Sequence, residues 1–275
     1  MTPTRPPIAL TIAGSDPSGG AGIQADLKTF TALGVYGASV ITALTAQNTV
    51  GVSGVYKIPA KFIAEQFEAV TSDLRVSAVK TGMLADVETV TLVAHLLARM
   101  KPAHLVVDPV MVATSGDRLV DADAVNAVRT ALVPLADVIT PNLPEAAALL
   151  ETVVATSEDQ MMAQARQLLA LGCKAVLLKG GHGNGPEAVD ILITASHAIK
   201  FTRPRIATHN THGTGCTLAA AIAAGLAQQL PLETAVQNAK DFVWSALASG
   251  AHLKIGAGSG PVDHLFDLRK TAVMP

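Results

Sequence analysis

Short apolar runs recur along the 275-residue chain, and a helical pattern follows each of them. Within a run the apolar residues are consecutive and do not alternate with polar ones, which is typical of strands covered on both faces of a parallel sheet. Alternation of such strands with helices predicts an α/β fold with three layers, α/β/α, and a mainly parallel central sheet. The predicted strands are Ile8–Ala13, Ser39–Ala43, Ala78–Lys80, His104–Val107, Val138–Thr140 and Ala175–Leu178.

The helical patterns lie between these runs and after the last of them. Two further strand-like runs, Val189–Thr194 and Ala198–Phe201, have no helix between them, which predicts an antiparallel hairpin at one edge of the sheet. No repeat, linker or change of composition divides the sequence, so residues 1–275 are expected to form a single domain. The predicted helices are Ala21–Leu33, Pro59–Leu74, Val87–Met100, Ala122–Leu132, Pro144–Leu150, Ser157–Leu171, Thr214–Gln228 and Leu232–Ser249.

Composition and charge argue against several classes of binding partner. Hydrophobic residues make up 49% of the chain, which is enough for a sizeable core. A net charge of −2 and an aromatic content of 3% argue against a nucleic-acid-binding surface. No apolar stretch approaches the ~18 residues that a membrane span requires, so no membrane association is expected. Cys173 and Cys216 lie far apart and imply no disulfide framework, so a reducing compartment is expected.

Polar or glycine-rich residues directly follow six of the predicted strands. Open α/β sheets bind ligands at the carboxyl ends of their strands, so these residues predict a ligand site at that edge of the sheet. Loops are polar in general, but six such clusters in succession favour a site. The clusters are Gly14–Asp16, Gln47–Asn48, Gly82–Met83, Asp108–Met111, Pro141–Asn142 and Lys179–His182.

The segment Asn210–Cys216 reads Asn-Thr-His-Gly-Thr-Gly-Cys and runs into an apolar, alanine-rich helix. A tight turn of small residues before a helix presents free backbone N–H groups. Such groups bind anions and can stabilise the charge that develops on a transferring phosphoryl group. Gly213, Thr214, Gly215 and Cys216 are therefore candidate catalytic residues.

Two other interpretations of this segment stay open. Thr214 could serve only as an ordinary N-cap of the following helix. His209, His212 and Cys216 have spacings that could suit a zinc site, although no fourth ligand is evident nearby.

Gly14–Gly22 is a second glycine-rich turn, placed between the first strand and the first helix. It lacks the Gly-Lys-Ser/Thr ending of a P-loop and the Gly-x-Gly-x-x-Gly pattern of a dinucleotide-binding turn. Its small residues favour close approach of the backbone to a ligand, although a plain turn would also use them. The missing dinucleotide pattern argues against an oxidoreductase.

Side chains after the fourth, fifth and sixth strands could serve a metal ion and phosphates. Asn142 and Glu145 lie one helical turn apart, and Asp108 adds a second carboxylate at the same end of the sheet. Together they could organise a hydrated Mg²⁺, which keeps most of its waters. Asn142-Leu-Pro-Glu145 also fits a capping box, so a structural role is the alternative. Lys179 can reach nucleotide phosphates as a point charge.

Eight segments are long and uncommon enough to identify a family. They are Ala9–Lys28, Ile41–Thr49, Lys80–Leu84, Val107–Met111, Ile139–Ala146, Leu178–His182, Thr211–Cys216 and Gly258–His264. Through them nearly the whole chain resembles the hydroxymethylpyrimidine and phosphomethylpyrimidine kinases of thiamine synthesis, within the ribokinase-like superfamily. The resemblance implies that ATP phosphorylates 4-amino-5-hydroxymethyl-2-methylpyrimidine to the monophosphate and then to the diphosphate.

The resemblance also implies roles for individual residues. The implied pyrimidine site consists of Gly14, Ala21, Asp26, Gln47, Met83, Val110 and Cys216. Asp108, Asn142 and Glu145 would serve Mg²⁺ and phosphate. The implied ATP site consists of Lys179, Thr211, Gly213 and Lys240. A homodimer in the cytoplasm is expected as well.

Cys216 stands where many ribokinase-like enzymes have an aspartate that acts as the base. A thiol at a helix N-terminus can have a lowered pKa, so a thiolate is expected to be available near neutrality. Two alternatives remain at this point. One is a related kinase that acts on pyridoxal, and the other is a non-catalytic pyrimidine sensor that retained the fold.

Overall fold

The computed structural model describes residues 5–111, 122–181 and 185–272, and nine strands in this part of the chain form one sheet. The strands are β1 (Ile8–Ser15), β2 (Tyr36–Gln47), β3 (Val52–Lys57), β4 (Ala78–Thr81), β5 (Leu105–Val107), β6 (Val138–Ile139), β7 (Ala175–Lys179), β8 (Glu187–Thr194) and β9 (Ala198–Pro204). Their order across the sheet is β3-β2-β1-β4-β5-β6-β7-β8-β9.

The six strands predicted from consecutive apolar runs are parallel neighbours in this sheet. β1 pairs with β2 and β4, and parallel pairing continues through β5, β6 and β7. β8 and β9 extend the β7 edge in antiparallel pairing, which confirms the predicted hairpin. At the other edge β3 pairs antiparallel with β2, and the sequence did not predict this strand. Its residues are half-buried or exposed, so no apolar run marks it.

Helices cover both faces of the sheet, which confirms the predicted three-layer arrangement. The helices are α1 (Gly22–Ala32), α2 (Ala60–Thr71), α3 (Val87–Met100), α4 (Ala122–Ala127), α5 (Leu143–Leu150), α6 (Glu158–Leu169), α7 (Thr214–Ala227), α8 (Leu232–Gly250) and α9 (Phe266–Ala272). The predicted helix Ala122–Leu132 is α4 followed by a wider π-helical turn over Val128–Leu132. α9 was not predicted.

The parallel strands divide their side chains between two apolar cores. Leu10 and Ile12 of β1 face one core, with residues of α2, α3, α5 and α6, whereas Ala9, which precedes Leu10, faces the other core. The second core contains α1, α7 and α8. Alternate side chains of a strand point to opposite faces, so a run that is apolar at every position feeds both cores. Each fully buried Leu or Ile contributes ~1.5–3 kcal/mol relative to an exposed position.

Helix α7 is the most deeply buried helical element of the second core. Eleven of its residues, Thr217 through Ala227, are buried. Its alanines and Gly225 let it lie close to α8, and a Cβ atom at Gly225 would come 2.9 Å from the Cβ of Ala235. The buried length of α7 is therefore packed closely against α8. Within the described residues, no helix is both long and apolar enough to cross a membrane.

Candidate active site

A cleft of about 900 Å³ opens at the carboxyl ends of the parallel strands, where the sequence predicted a ligand site. Residues that follow β1, β2, β4, β5, β6 and β7 line it, together with the start of α7. The predicted site residues in its wall are Gly14, Ala21, Gln47, Met83, Asp108, Val110, Asn142, Glu145, Lys179, Thr211, Gly213, Thr214, Gly215, Cys216 and Lys240.

Asp26 does not line the cleft, contrary to the expectation of direct contact with a pyrimidine. Its side chain is fully buried on α1 and accepts hydrogen bonds from Lys80 Nζ, at 3.0 and 2.9 Å, and from Thr11 Oγ1, at 2.6 Å. Burial alone would lower the pKa of Lys80, but the Asp26 carboxylate outweighs it and the pKa is raised. Burial also raises the pKa of Asp26, although Lys80 and Thr11 oppose that shift. Lys80, rather than Asp26, lines the cleft.

The first turn of α7 presents free backbone donors to the cleft. Gly213 is the N-cap, with a φ of 80°, and the N–H of Thr214 donates to the carbonyl of Thr211 at 3.2 Å. Among the described residues, the N–H groups of Gly215 and Cys216 have no backbone acceptor. These two groups lie at the positive end of the helix dipole, where the sequence predicted an anion-binding site.

Asp108, Glu145 and Lys179 form a buried charged cluster beside this turn. Lys179 Nζ lies 3.0 Å from Asp108 Oδ1 and 4.0 Å from Glu145 Oε2. Burial raises the pKa of Glu145 to about 7, although Lys179 opposes the shift, and Asp108 adds to it by repulsion. Burial would lower the pKa of Lys179, but the two carboxylates outweigh it and raise the pKa. The lysine is therefore a fixed cation.

Gly215 brings this cluster and the anion-binding turn together. A Cβ atom at Gly215 would lie 3.4 Å from Lys179 Nζ and 3.9 Å from Asp108 Oδ2. The absence of a side chain keeps the space open between the free N–H groups and the charged cluster. A phosphoryl group in this space would meet donors on one side and a cation on the other.

Asn142 is occupied by the capping box that the sequence allowed as an alternative. Its Oδ1 accepts from the N–H of Glu145 at 2.8 Å, and Glu145 Oε2 accepts from the N–H of Asn142 at 2.8 Å. Thr140 and Lys179 both donate to Asp108 Oδ1. In the described part of the chain, Oδ2 of Asp108 is thus the oxygen left for a further partner.

The donor set fits a metal ion that is held mainly by water and phosphate. Across the described residues, no group of three or more His, Cys, Asp or Glu side chains could hold a metal ion. Asp108 and Glu145 supply two hard carboxylates, and Mg²⁺ tolerates so few protein ligands because it keeps several waters. The same observation argues against the zinc interpretation. His212 Nε2 instead lies 2.7 Å from Asp16 Oδ2, and His209 is exposed.

The thiol of Cys216 faces the cleft, but the expectation of a lowered pKa is wrong. Burial raises the pKa of Cys216 to about 11. The charge of Lys80 opposes the shift, while Asp26 and Asp108 reinforce it. The helix N-terminus thus does not compensate for the loss of solvent, and the thiol is protonated at pH 7.

The other end of the cleft is apolar and suits a small flat ring. Gly14 lets Met83 approach, since a Cβ atom at Gly14 would lie 2.6 Å from Met83 Cε. Gln47 is half-buried at the end of β2, and its Oε1 accepts from Thr45 Oγ1 at 3.1 Å. Its amide nitrogen is thereby aimed away from Thr45 and can donate to a ring nitrogen.

Lys240 lies in the wall of the cleft but already has a partner. Its Nζ donates to Asp190 Oδ2 at 2.6 Å, and Asp190 Oδ1 accepts from the N–H of Gly180 at 3.0 Å. The lysine and the aspartate thus tie α8 and β8 to the turn after β7. A ligand beside Lys240 would therefore meet an ion pair with Asp190 rather than an isolated positive charge.

Asp16, Lys80 and Trp244 also line the cleft, and of these three the sequence indicated only Asp16, as part of the cluster Gly14–Asp16. Asp16 lies within the first glycine-rich turn, and its position directly after a buried strand was the signal available. Lys80 was hidden inside an apolar run, where a lysine needs a buried partner. Trp244 lies on α8, far in sequence from every motif, and no local pattern marks it.

A family model for phosphomethylpyrimidine kinase matches residues 16–263. The chain belongs to the phosphomethylpyrimidine kinase family. It is 54% identical over 256 residues to the hydroxymethylpyrimidine/phosphomethylpyrimidine kinase of Escherichia coli (strain K12), and this match covers 93% of this chain and 96% of that one. The family resemblance inferred from the sequence motifs is thus confirmed.

Solved structures confirm the ribokinase-like fold. The phosphomethylpyrimidine kinase of Clostridium difficile 630 is 44% identical, with a TM-score of 0.78, and the match covers 87% of this chain and 99% of that one. An ADP complex of Bacillus subtilis pyridoxal kinase is 37% identical, with a TM-score of 0.89, and covers 96% of this chain and 99% of its own. Kinases of this family and pyridoxal kinases therefore share one scaffold.

Proposed function

We propose that the protein uses ATP to phosphorylate 4-amino-5-hydroxymethyl-2-methylpyrimidine and then its monophosphate, in thiamine biosynthesis. In the first step the hydroxymethyl oxygen bonds to the γ-phosphorus, the bond to the β,γ-bridging oxygen breaks, and ADP and a proton leave. In the second step a phosphate oxygen of the monophosphate attacks in the same way. Membership of the phosphomethylpyrimidine kinase family supports both steps.

The observation that carries this proposal is the convergence of hydrogen-bond donors and a positive charge on one open space. Among the described residues, the N–H groups of Gly215 and Cys216 have no backbone acceptor, and Gly215 lies beside the ammonium of Lys179, whose Nζ would be 3.4 Å from a Cβ atom there. A transferring phosphoryl group spreads negative charge over its three equatorial oxygens, and preorganised donors stabilise that charge. The protein therefore acts mainly by positioning and by electrostatic stabilisation.

ATP is proposed to place its phosphates between the turn Thr211–Gly213 and Lys179, with Lys240 at the edge of the same site. Mg²⁺, when bound, neutralises phosphate charge, and Asp108 and Glu145 would hold it, with Asn142 fixing Glu145 through the capping box. A cation there favours the ionised form of Glu145, whose pKa burial raises to about 7. The glutamate is therefore expected to release its proton when the metal binds.

The pyrimidine ring is proposed to lie between Met83 and Val110, against the small residues Gly14 and Ala21. Gln47 would donate to the aminopyrimidine edge. Asp26 would act through Lys80, whose position it holds beneath the ring. Cys216 would face the hydroxymethyl group and remove its proton during attack, and because its thiol is protonated at neutral pH, this step would be favoured at high pH.

One assay tests the function and its runner-up together. Coupled ATP consumption is measured with the pyrimidine alcohol, its monophosphate and pyridoxal in parallel. We expect the highest kcat/KM for the two pyrimidines and a lower one for pyridoxal, whose kinase in Bacillus subtilis shares the fold. A preference for pyridoxal would favour the pyridoxal kinase instead. Binding of the alcohol without ATP consumption would favour a sensor.

A cytoplasmic homodimer completes the proposal. Large apolar side chains are exposed at the β3 edge of the sheet, with exposed fractions of 43% for Leu44 and 66% for Tyr56. Leu44 and Tyr56 are direct cross-strand partners on β2 and β3. An exposed apolar edge strand favours pairing with another chain, and a second copy of this chain supplies a matching surface.

A further inference from the structure

The two glycine-rich turns of the cleft meet through a buried pair of side chains, Asp16 and His212. His212 Nε2 lies 2.7 Å from Asp16 Oδ2, although 196 positions separate the two residues. The side chains are only 6% exposed for His212 and 3% for Asp16. The sequence suggested only a zinc ligand at His212, and the proposed reaction uses neither of the two side chains.

Asp16 organises the first turn around its carboxylate. Oδ1 accepts from the N–H and the hydroxyl of Ser18, at 2.9 and 2.7 Å. Oδ2 accepts from the N–H groups of Gly20 and Ala21, at 3.2 and 2.8 Å, in addition to His212. Burial would raise the pKa of Asp16, but these hydrogen bonds outweigh it and lower the pKa to about 2. The carboxylate is therefore ionised and fixed.

Backbone hydrogen bonds hold His212 in place within the second turn. Its N–H donates to the carbonyl of Gly260 at 3.0 Å, and its carbonyl accepts from the N–H of Val262 at 3.3 Å. The next residue, Gly213, is the N-cap of α7. A displacement of His212 would thus move the anion-binding turn directly.

The two turns are packed so closely that a larger residue at either glycine of the contact would clash. A Cβ atom at Gly20 would lie 2.3 Å from His212 Cδ2, and one at Gly213 would lie 1.8 Å from the carbonyl oxygen of Gly20. Ala21, the next residue of the first turn, belongs to the proposed pyrimidine site. A single short chain of contacts therefore joins the pyrimidine end of the cleft to the phosphoryl end.

We infer that the Asp16–His212 hydrogen bond is a positioning device, which sets the distance between the acceptor alcohol and the anion-binding N–H groups of Gly215 and Cys216. This inference rests on the proposed kinase function. Neither side chain touches the reacting atoms, so both act through the turns that they join. Their loss would misalign the transition state while both substrates still bind, and misplacement by about 1 Å costs on the order of 10²-fold in rate.

The first test compares two variants at one position. His212→Met keeps an apolar side chain of similar size but removes the donor, and His212→Gln retains an N–H donor near the place of Nε2. We expect kcat to fall roughly 10- to 100-fold in His212→Met with KM values changed less than about threefold, and to recover largely in His212→Gln. His209→Met is the matched control, because His209 is exposed three residues earlier. It is expected to behave as wild type.

A second readout needs no turnover. ADP with aluminium fluoride mimics the transferring phosphoryl group, and its affinity is compared with that of ADP alone. We expect His212→Met to weaken the mimic roughly 10- to 100-fold and ADP by less than about threefold. Equal loss for both ligands, or a lowered unfolding temperature with unchanged kcat, would overturn the inference and leave a purely structural pair. A wild-type protein inactive on every alcohol would instead refute the proposed function, and the mimic still reports on positioning.

Discussion

The protonation of Cys216 connects one side chain to the rate of the proposed reaction. With a pKa raised to about 11, the thiolate is a fraction of about 10⁻⁴ at pH 7. If the thiolate removes the alcohol proton, kcat should rise about tenfold per pH unit between about pH 7 and 9. Cys216→Ser should lose this slope and about tenfold or more in kcat at the top of the range. The measurement is kcat against pH at saturating ATP.

Cys173→Ser is the control for that profile. Cys173 is buried outside the cleft, with its Sγ 3.7 Å from the carbonyl of Leu168, and the variant should keep the wild-type slope. A flat wild-type profile, or the same slope in Cys216→Ser, would show that Cys216 is not the base.

The ionised form of Glu145 is expected to lower the stability of the folded protein. Folding raises its pKa from 4.5 to about 7. In this window the folded state binds more protons than the unfolded state, so the stability that the group contributes is present at low pH and is lost as pH rises through 7. Glu145→Gln should therefore have a higher unfolding temperature than wild type at pH 8 and little advantage at pH 4.5. Its kcat should fall and its Mg²⁺ requirement should rise.

The capping box makes this variant interpretable, because a glutamine can still accept from the N–H of Asn142. Thermal unfolding and a Mg²⁺ titration of kcat at two pH values give all three quantities. An unchanged Mg²⁺ requirement would reduce Asn142–Glu145 to a helix cap.

At the scale of residues, most of the predicted site residues line one cleft, because strand ends are easy to find in a sequence. Asp108, Asn142 and Lys179 each follow or end a buried run, and parallel strands bring their carboxyl ends together. Asp26 differs because it lies within a helix, and only the fold shows that Lys80 neutralises it. The pKa of Cys216 could not be predicted either, since burial is a property of the packed structure.

At the scale of elements, the start of α7 depends on a glycine in a left-handed conformation. Gly213 has a φ of 80°, and a Cβ atom there would lie 1.8 Å from the carbonyl oxygen of Gly20. Gly213→Ala should therefore displace the turn, lower kcat by about 10²-fold or more and lower the unfolding temperature. Steady-state kinetics and thermal unfolding measure the two effects.

Gly34→Ala separates backbone strain from close approach. Gly34 has a φ of 74° with nothing within 4 Å of its missing Cβ. Its replacement should cost roughly 1–2 kcal/mol of stability and leave kcat unchanged. A similar loss of kcat in both variants would mean that the loss follows from general destabilisation, and the turn would not be a special element.

Buried elements were predictable and exposed ones were not. α7 and the parallel strands carry apolar residues at almost every position because other parts of the protein cover them on both faces. β3 presents mostly exposed residues, so neither alternation nor an apolar run distinguishes Val52–Lys57 from a loop. The sequence therefore indicated one antiparallel edge of the sheet, whereas the structure has two.

At the scale of the whole molecule, one sheet and two cores are expected to unfold together. Strands from Ile8 to Pro204 belong to a single sheet, and each core contains residues of several separate helices. We propose that residues 1–275 form one domain, which should show a single calorimetric transition with equal calorimetric and van't Hoff enthalpies. ADP should raise its midpoint without splitting it. Two transitions, of which only one moves with ADP, would indicate two domains.

The exposed β3 edge should control the proposed assembly of two copies of the chain into a dimer. Leu44 and Tyr56 form a cross-strand pair that is exposed on both strands, and burial of such side chains in a dimer would contribute about 25 cal/mol for each Å² of apolar area. Tyr56→Asp should convert the dimer to a monomer in sedimentation equilibrium, because an unpaired charge in an apolar interface is costly. Val153→Asp is the control, since Val153 is 79% exposed on the loop after α5 and its replacement should leave the sedimenting mass unchanged.

Gln47 pairs with Val52 at the end of the same two strands, so the monomer should also have a raised KM for the pyrimidine while its KM for ATP stays the same. A wild-type protein that sediments as a monomer, or a dimer that survives Tyr56→Asp, would place the contact elsewhere or remove it.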